Sequence, residues 1–182
     1  MKSILVTGGS GFIGSHTCLT LLEKGFEIFV IDSFVNSSPK SIEKVCLILN
    51  QKDIFSQEKI HLFKGNLKNK SDIERVFQIS QKLGKRIDAV IHFAGLKSVS
   101  DSILNPIEYW ENNVLGTINL LKIMEQYNCR NIVFSSSATV YKANSDKLLN
   151  EKDICQPVNP YGHTKLTIEG MSSPGNKIKD HY

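Results

Sequence analysis

The chain has 182 residues, 41% hydrophobic and 22% charged, and a net charge of +4 from 22 basic and 18 acidic side chains. This is an ordinary globular composition, enough for one domain with a sizeable core. The lysines are scattered rather than interleaved with aromatics, which argues against a nucleic-acid surface, and no apolar run approaches the length of a membrane span.

Cys18, Cys46, Cys129 and Cys155 form no CxxC pair and no His/Cys cluster. Free thiols in a reducing compartment are therefore expected, with no metal site. The first residues run straight into a strand-like pattern without a signal peptide, so a cytoplasmic location is expected. There is no internal repeat and no low-complexity segment.

Ile4, Leu5 and Val6 form a short uncharged apolar run, the pattern of a buried parallel strand. Thr7 to Gly14 then holds four glycines in eight positions. From Ser15 the apolar spacing is helical, and Gly25 stands where a C-cap belongs. Glycines between a strand and a helix leave bare backbone for a phosphate to approach, beside unpaired N–H groups and a positive dipole end. Two registers fit, Gly9-x-Gly11-x-x-Gly14 and Gly8-x-x-Gly11-x-x-Gly14, and a turn built only for tight packing is the competing reading. The next strand, Glu27 to Ile31, weakens that alternative because it ends at Asp32. An acid at this place can accept hydrogen bonds from an adenosine ribose and repels a 2′-phosphate, favouring NAD over NADP.

Ser33 to Ser38 reads as a polar loop, followed by Pro39 near the first turn of a helix with apolar spacing from Ser41 to Leu49. Lys59 to Phe63 is a third strand, followed by Gly65, Asn66 and Leu67. Ser71 with Glu74 makes a capping-box pattern for a helix that runs to about Leu83 and stops at Gly84. Ile87 to Phe93 is a fourth strand leading into Ala94, Gly95, Leu96 and Lys97. One long helical region is expected from Pro106 to Tyr127, with an apolar stripe at Val114, Ile118, Leu121 and Met124. Asn131 to Ser135 is a fifth strand, and a last helix opens at Asn159-Pro160-Tyr161 and reaches about Met171. Residues from Ser172 to Tyr182 are polar and breaker-rich and are expected to form a disordered tail.

Alternating strands and helices imply parallel strands with right-handed crossovers, an α/β doubly wound Rossmann-like sheet over residues 1–171. Ligands of such sheets lie at the carboxyl ends of the strands. The glycine loop, Asp32, Gly65-Asn66, Phe93 to Lys97 and Ser135 to Ser137 all fall there.

Tyr161 and Lys165 are four apart on one helical face. A tyrosine hydroxyl ionises near about pH 10 and is a poor base at neutral pH. A neighbouring ammonium favours its ionised form, and the same lysine could hold a nicotinamide ribose. A serine at the end of strand five could orient a substrate hydroxyl toward the tyrosine. The competing readings are a surface helix pair and a polar strand end that satisfies its own backbone.

With LVTGGSGFIGSHT, Asp32-x-x-x-Asn36-Ser37-Ser38, IHFAGLKSV, Asn112-Asn113, FSSSATVY and NPYGHTK in place, the chain resembles the extended short-chain dehydrogenase/reductase family from about Lys2 to Glu169. The resemblance is strongest to its nucleotide-sugar 4-epimerases. It implies that Gly8, Gly11 and Gly14 with Phe12 and Ile13 form the pyrophosphate turn of bound NAD. It implies that Asp32, Ser33, Phe34, Val35, Asn36 and Ser37 hold the adenosine ribose, and that Asn66 and Leu67 flank the adenine. Phe93, Ala94, Gly95, Leu96, Lys97 and Asn112 would contact the middle of the cofactor, with Lys97 also reaching substrate. Ser137 would be the catalytic serine, Tyr161 the base and Lys165 the ribose-binding lysine. The implied activity is interconversion of UDP-glucose and UDP-galactose in galactose metabolism, through transient oxidation of a UDP-sugar at C4, by a homodimer.

Asn66 stands where the family usually has Asp, and Lys142 where Gly usually follows Val140-Tyr141. The family pattern also continues into further strands and a substrate domain, so this sequence is expected to be the N-terminal part of a longer enzyme. Two other readings compete: an inactive remnant that at most binds NAD, and a nucleotide-sugar 4,6-dehydratase. The second lacks its acidic pair, because Ala138-Thr139 follow Ser137.

Overall fold

Among the described residues, five parallel strands lie in the order β3-β2-β1-β4-β5: β1 (Ser3–Thr7), β2 (Glu27–Asp32), β3 (Ile60–Lys64), β4 (Ile87–His92) and β5 (Asn131–Phe134). The structure, a computed structural model, describes residues 2–52, 57–142 and 148–172. The helices are α1 (Phe12–Glu23), α2 (Lys40–Gln51), α3 (Lys70–Lys82), α4 (Val99–Leu104), α5 (Pro106–Tyr109), α6 (Gly116–Gln126) and α7 (Pro160–Ser172). The expected doubly wound sheet is observed. The topology reverses at β1, so the glycine loop sits at the switch point where such sheets bind ligands.

β1 and β2 are buried at every residue, as a strand covered on both faces must be. Alternation divides their side chains between two cores. Ile4, Val6, Ile28 and Val30 meet Cys18 and Leu22 of α1 and Ile42, Val45 and Leu49 of α2. Leu5, Phe29 and Ile31 meet Ile73, Val76 and Phe77 of α3 and Leu120, Ile123 and Met124 of α6 on the other face.

Four local expectations change. α1 begins at Phe12 rather than after Gly14, so Gly14 lies in its first turn. Ser71 does not cap α3: the cap position is Asn69, with no side-chain bond. Asp72 instead accepts the Asn66 N–H at 2.9 Å, which folds the loop after β3. The long helix from Pro106 is broken into α5, a six-residue π-helical stretch at Trp110–Leu115, and α6, with α4 preceding it unpredicted. The π stretch shifts the buried face to Asn113, Gly116, Thr117, Leu120, Ile123 and Met124, leaving Val114, Ile118 and Leu121 half-buried. Of the expected tail, Ser172 closes α7 and residues 173–182 lie outside the described residues. No helix among the described residues is long and apolar enough to cross a membrane.

Candidate functional site

The glycines of the first loop do different work. A Cβ on Gly14 would lie 2.3 Å from the Gly8 carbonyl oxygen, and one on Gly9 would lie 2.7 Å from Val30 Cγ1. Gly8 turns the chain at φ +68, 2.7 Å from the Ala94 nitrogen for an added Cβ. These three are packing glycines. Gly11 is the open one: a Cβ there would meet only the Gly8 oxygen, at 3.2 Å. No side chain caps α1, so the N–H groups of its first turn, at the positive dipole end, have no side-chain partner. Ser10 Oγ is buried there without a hydrogen-bond partner. Phe12 and Ile13 are 79% and 60% exposed. The edge is thus shaped for an anion flanked by apolar surface.

Asp32 is buried and accepts three hydrogen bonds from its own chain. One carboxylate oxygen accepts the Ser10 N–H at 2.9 Å. The other accepts the Phe34 N–H at 3.0 Å and the Ser37 hydroxyl at 2.7 Å. It therefore ties the glycine loop to the 33–37 loop, a role that its position alone did not reveal. Phe34 is held at φ 59, Val35 and Asn36 are exposed, and Ser33 is half-buried. Beyond β3, Asn66 Oδ1 accepts the Lys68 N–H, and Leu67 is buried under α6, whose Asn119 amide donates to the Leu67 and Lys68 carbonyls.

At the end of β4 a fully satisfied polar relay crosses the interior. Thr117 Oγ1 donates to the Asn113 carbonyl at 2.6 Å, so it can only accept from His92 Nε2, 2.9 Å away. His92 Nδ1 must then accept from the Thr7 hydroxyl, at 2.6 Å. Burial, with a smaller contribution from the Lys165 charge, pushes His92 down to about 3, and the ring is neutral. Asn113 clamps the 93–97 loop: its Oδ1 accepts the Leu96 N–H at 2.8 Å and its Nδ2 donates to the Leu96 carbonyl at 3.0 Å. The same amide donates to Thr164 Oγ1 at 3.1 Å, and Thr164 donates to the Tyr161 carbonyl at 2.7 Å. Asn112, the sequence-based candidate, is half-buried beside it, whereas Asn113 makes the anchoring bonds. Phe93, Ala94 and Gly95 are half-buried in the loop and Lys97 is exposed at its end.

Asn159 caps α7 by accepting the Gly162 N–H at 2.8 Å, and Pro160 is the first helical residue. A Cβ on Gly162 would lie 2.5 Å from the Thr139 carbonyl oxygen. That bare approach brings the start of α7 against the 3-10 turn Ala138–Val140, next to Ser137. Ser137 Oγ accepts from Thr139 N at 3.3 Å and from Thr139 Oγ1 at 2.9 Å. Its own hydroxyl proton is left to donate outward. Tyr161 is buried edge-on to Tyr109, with centroids 6.4 Å apart. Lys165 Nζ donates to the Ser135 carbonyl at 2.9 Å, lies 4.6 Å from the Phe134 ring centroid and 5.8 Å from that of Tyr161. Burial lowers Lys165 to about 8, opposed by Glu169. A donor hydroxyl, a phenol and a buried ammonium thus converge at one strand end. The described residues contain no group of three His, Cys, Asp or Glu able to hold a metal.

The chain is similar to UDP-glucose 4-epimerases in sequence and in fold. UDP-glucose 4-epimerase 3 of Oryza sativa subsp. japonica is 48% identical over 167 residues, 92% of this chain and 43% of that protein. The bifunctional UDP-glucose 4-epimerase and UDP-xylose 4-epimerase 1 of Pisum sativum is 45% identical over all 182 residues, 49% of its own length. The crystal structure of the Bifidobacterium longum UDP-glucose 4-epimerase in complex with NAD+ and UDP superposes with a TM-score of 0.84 at 38% identity, covering 97% of this chain and 51% of that one. The chain spans about half the length of the curated relatives it matches. The family model described as GDP-mannose 4,6 dehydratase matches residues 5–173, and the chain belongs to that family.

Proposed function

We propose that this chain forms the NAD-holding half, with the catalytic serine, tyrosine and lysine, of an epimerase acting at C4 of a UDP-hexose. The observation that carries the reading is the meeting at one sheet edge of an uncapped helix start, the Asp32-tied loops and the Ser137–Tyr161–Lys165 group. The anionic diphosphate fits the Gly11 opening beside the orphaned Ser10 Oγ, between the exposed Phe12 and Ile13. Asp32 and the 33–37 loop fit the adenosine ribose, Asn66 and Leu67 the adenine, and the 93–97 loop with Asn112 the middle of the dinucleotide.

Bound NAD supplies the hydride acceptor for oxidation at the sugar C4 and the donor for its return. Tyr161 takes the proton of the C4 hydroxyl and later restores it. Lys165, as an ammonium beside the ring, favours the phenolate, and its remaining N–H groups suit the nicotinamide ribose. Ser137 has both acceptor positions filled by Thr139, so it donates to the C4 oxygen in hydroxyl and keto forms alike. Lys97 at the rim suits the substrate side. A 4,6-dehydratase is disfavoured because Ala138 and Thr139, with Thr139 bonded back to Ser137, stand where that chemistry uses acids.

A homodimer is part of the reading, supported by exposed Ile103, Leu104, Ile107 and Trp110 along α4, α5 and the π stretch. Four free cysteines support a reducing, cytoplasmic setting.

The test is to follow thermal unfolding of the chain with and without NAD, and to assay conversion of UDP-galactose by the whole protein with Tyr161→Phe beside it. NAD is expected to raise the Tm, and the Phe variant to lose about 10²–10⁴ in rate while keeping NAD affinity. No stabilisation by NAD, or a Phe variant at wild-type turnover, would overturn the assignment.

A further inference from the structure

Glu169 has no part in the roles above, yet it stands two helical turns beyond Tyr161 and one beyond Lys165 on the same face of α7. Its carboxylate accepts a hydrogen bond from the Ser136 hydroxyl, across from the end of β5. One turn earlier, Lys165 Nζ bonds the Ser135 carbonyl. Two consecutive residues of the strand end are thus fastened to two successive turns of α7, and the next residue is Ser137.

The groups around Lys165 come from three elements. His92 on β4 is neutral, Phe134 on β5 presents its ring, and α7 itself supplies Tyr161 and Glu169. Glu169 is the group whose charge acts in favour of the ammonium. A lysine that is 5% exposed gives up its proton easily unless an opposite charge opposes its desolvation.

We propose that Glu169 is a positioning residue whose carboxylate keeps Lys165 an ammonium beside Tyr161 and, through Ser136, fixes the strand end that carries Ser137. The inference deepens the catalytic reading and rests on its assignment of Lys165, but its test needs no cofactor. The 182-residue chain is labelled on lysine and the Lys165 Nζ/Cε signals, assigned by their loss in Lys165→Arg, are titrated by NMR. Glu169→Gln removes the charge and keeps an oxygen for Ser136. Its Lys165 midpoint is expected to fall by about one pH unit, a tenfold loss of the charged form above pH 8. Ser136→Ala is expected to leave the midpoint in place and shift the Ser137 amide. An unchanged midpoint in Glu169→Gln overturns the proposal. Should that variant not fold, Glu169→Asp, with its charge drawn back by one methylene, must lower the midpoint by a smaller amount, and an unchanged value there overturns it equally. NAD titrations at pH 6.5 and 8.5 run alongside. Failure of the wild-type chain to bind NAD counts against the cofactor reading, while the Lys165 midpoint still decides the role of Glu169.

Discussion

The two edges of the sheet are built by opposite rules. At the edge where strands begin, three helices end in the same way. After α1, α3 and α6 the chain passes through Gly25, Gly84 and Asn128 at φ 82, 69 and 55. Each time the following residue reaches back five positions: Phe26 to Leu21, Lys85 to Ser80, Cys129 to Met124, at 3.0, 2.8 and 2.8 Å. This is the Schellman closure, repeated. At the edge where strands end, no two loops are alike. One is held by a buried aspartate, one by a side-chain turn at Asn66, one by the Asn113 amide, and one by a lysine under a phenylalanine ring. The scaffold edge obeys local rules that any sequence can follow. The site edge is specified by particular side chains, Asp32, Asn113 and Lys165 among them bonding across 17 to 51 residues, and there a single change should do most harm.

The largest effect is expected from Gly14→Val. Its Cβ would lie 2.3 Å from the Gly8 oxygen and 2.7 Å from Gly9 Cα, both backbone atoms that cannot move without opening the loop. A loss of about 3 kcal/mol or more is expected in urea unfolding, with NAD binding abolished. Gly11→Ala, three residues away, should keep nearly full stability. Equal losses in the two variants would show that the glycines do not divide between packing and opening.

Second is acid sensitivity. His92 titrates at about 3 when folded against 6.5 ordinarily, so between those values the unfolded chain binds the extra proton. Stability contributed by this group is present above about pH 6.5 and is lost as pH falls toward 3. At pH 4.5 the loss from His92 is about 2–3 kcal/mol. His92→Gln should be less stable at pH 7 but lose less on going to pH 4.5. Parallel pH slopes for the two proteins would remove His92 from the acid response.

This relay also marks the limit of what sequence pattern discloses. The strands Ile4–Val6 and Glu27–Ile31 were legible because continuous apolar runs belong to a sheet covered on both faces. Asp32, the glycine loop and the Tyr161–Lys165 spacing were legible because their chemistry is local. Asn113 and Thr117 were not. Hydrophobic periodicity reports apolar burial, and these polar residues sit on the buried face of a helix whose phase the π stretch has altered. Apart from the Thr117–Asn113 bond within the helix, their partners, and those of Thr7 and His92, are 17 to 85 residues distant. Glu169 was hidden for the same reason: nothing near it in sequence names Ser136. Helix α4 was missed because Ser100, Asp101 and Ser102 interrupt its apolar spacing and its Ile103 and Leu104 face outward.

Third, Asp32→Ala should weaken NAD binding by about tenfold or more and narrow the preference over NADP. It removes the charge that repels a 2′-phosphate and three hydrogen bonds that join two loops. Dissociation constants for both dinucleotides measure it. Wild-type binding of NADP as tight as NAD would defeat the reading of Asp32.

The smallest effect belongs to the scaffold edge. Asn128 occupies the position that glycine fills after α1 and α3, and it is the one non-glycine of the three held at positive φ. Its side chain is exposed, while its backbone carbonyl accepts from Arg86 Nη2 at 2.9 Å, a bond that any residue there can make. Asn tolerates the left-handed region better than most residues, yet glycine has no Cβ to strain it. Asn128→Gly should therefore stabilise the chain by about 0.5 kcal/mol, and Asn128→Ala should destabilise it by about 1 kcal/mol. Neither variant should alter NAD affinity, because the change is confined to the edge opposite the ligand loops. Urea midpoints with parallel NAD titrations provide the measurement. A shift in NAD affinity without a shift in stability would mean that the two edges are coupled, and that the division drawn between them does not hold.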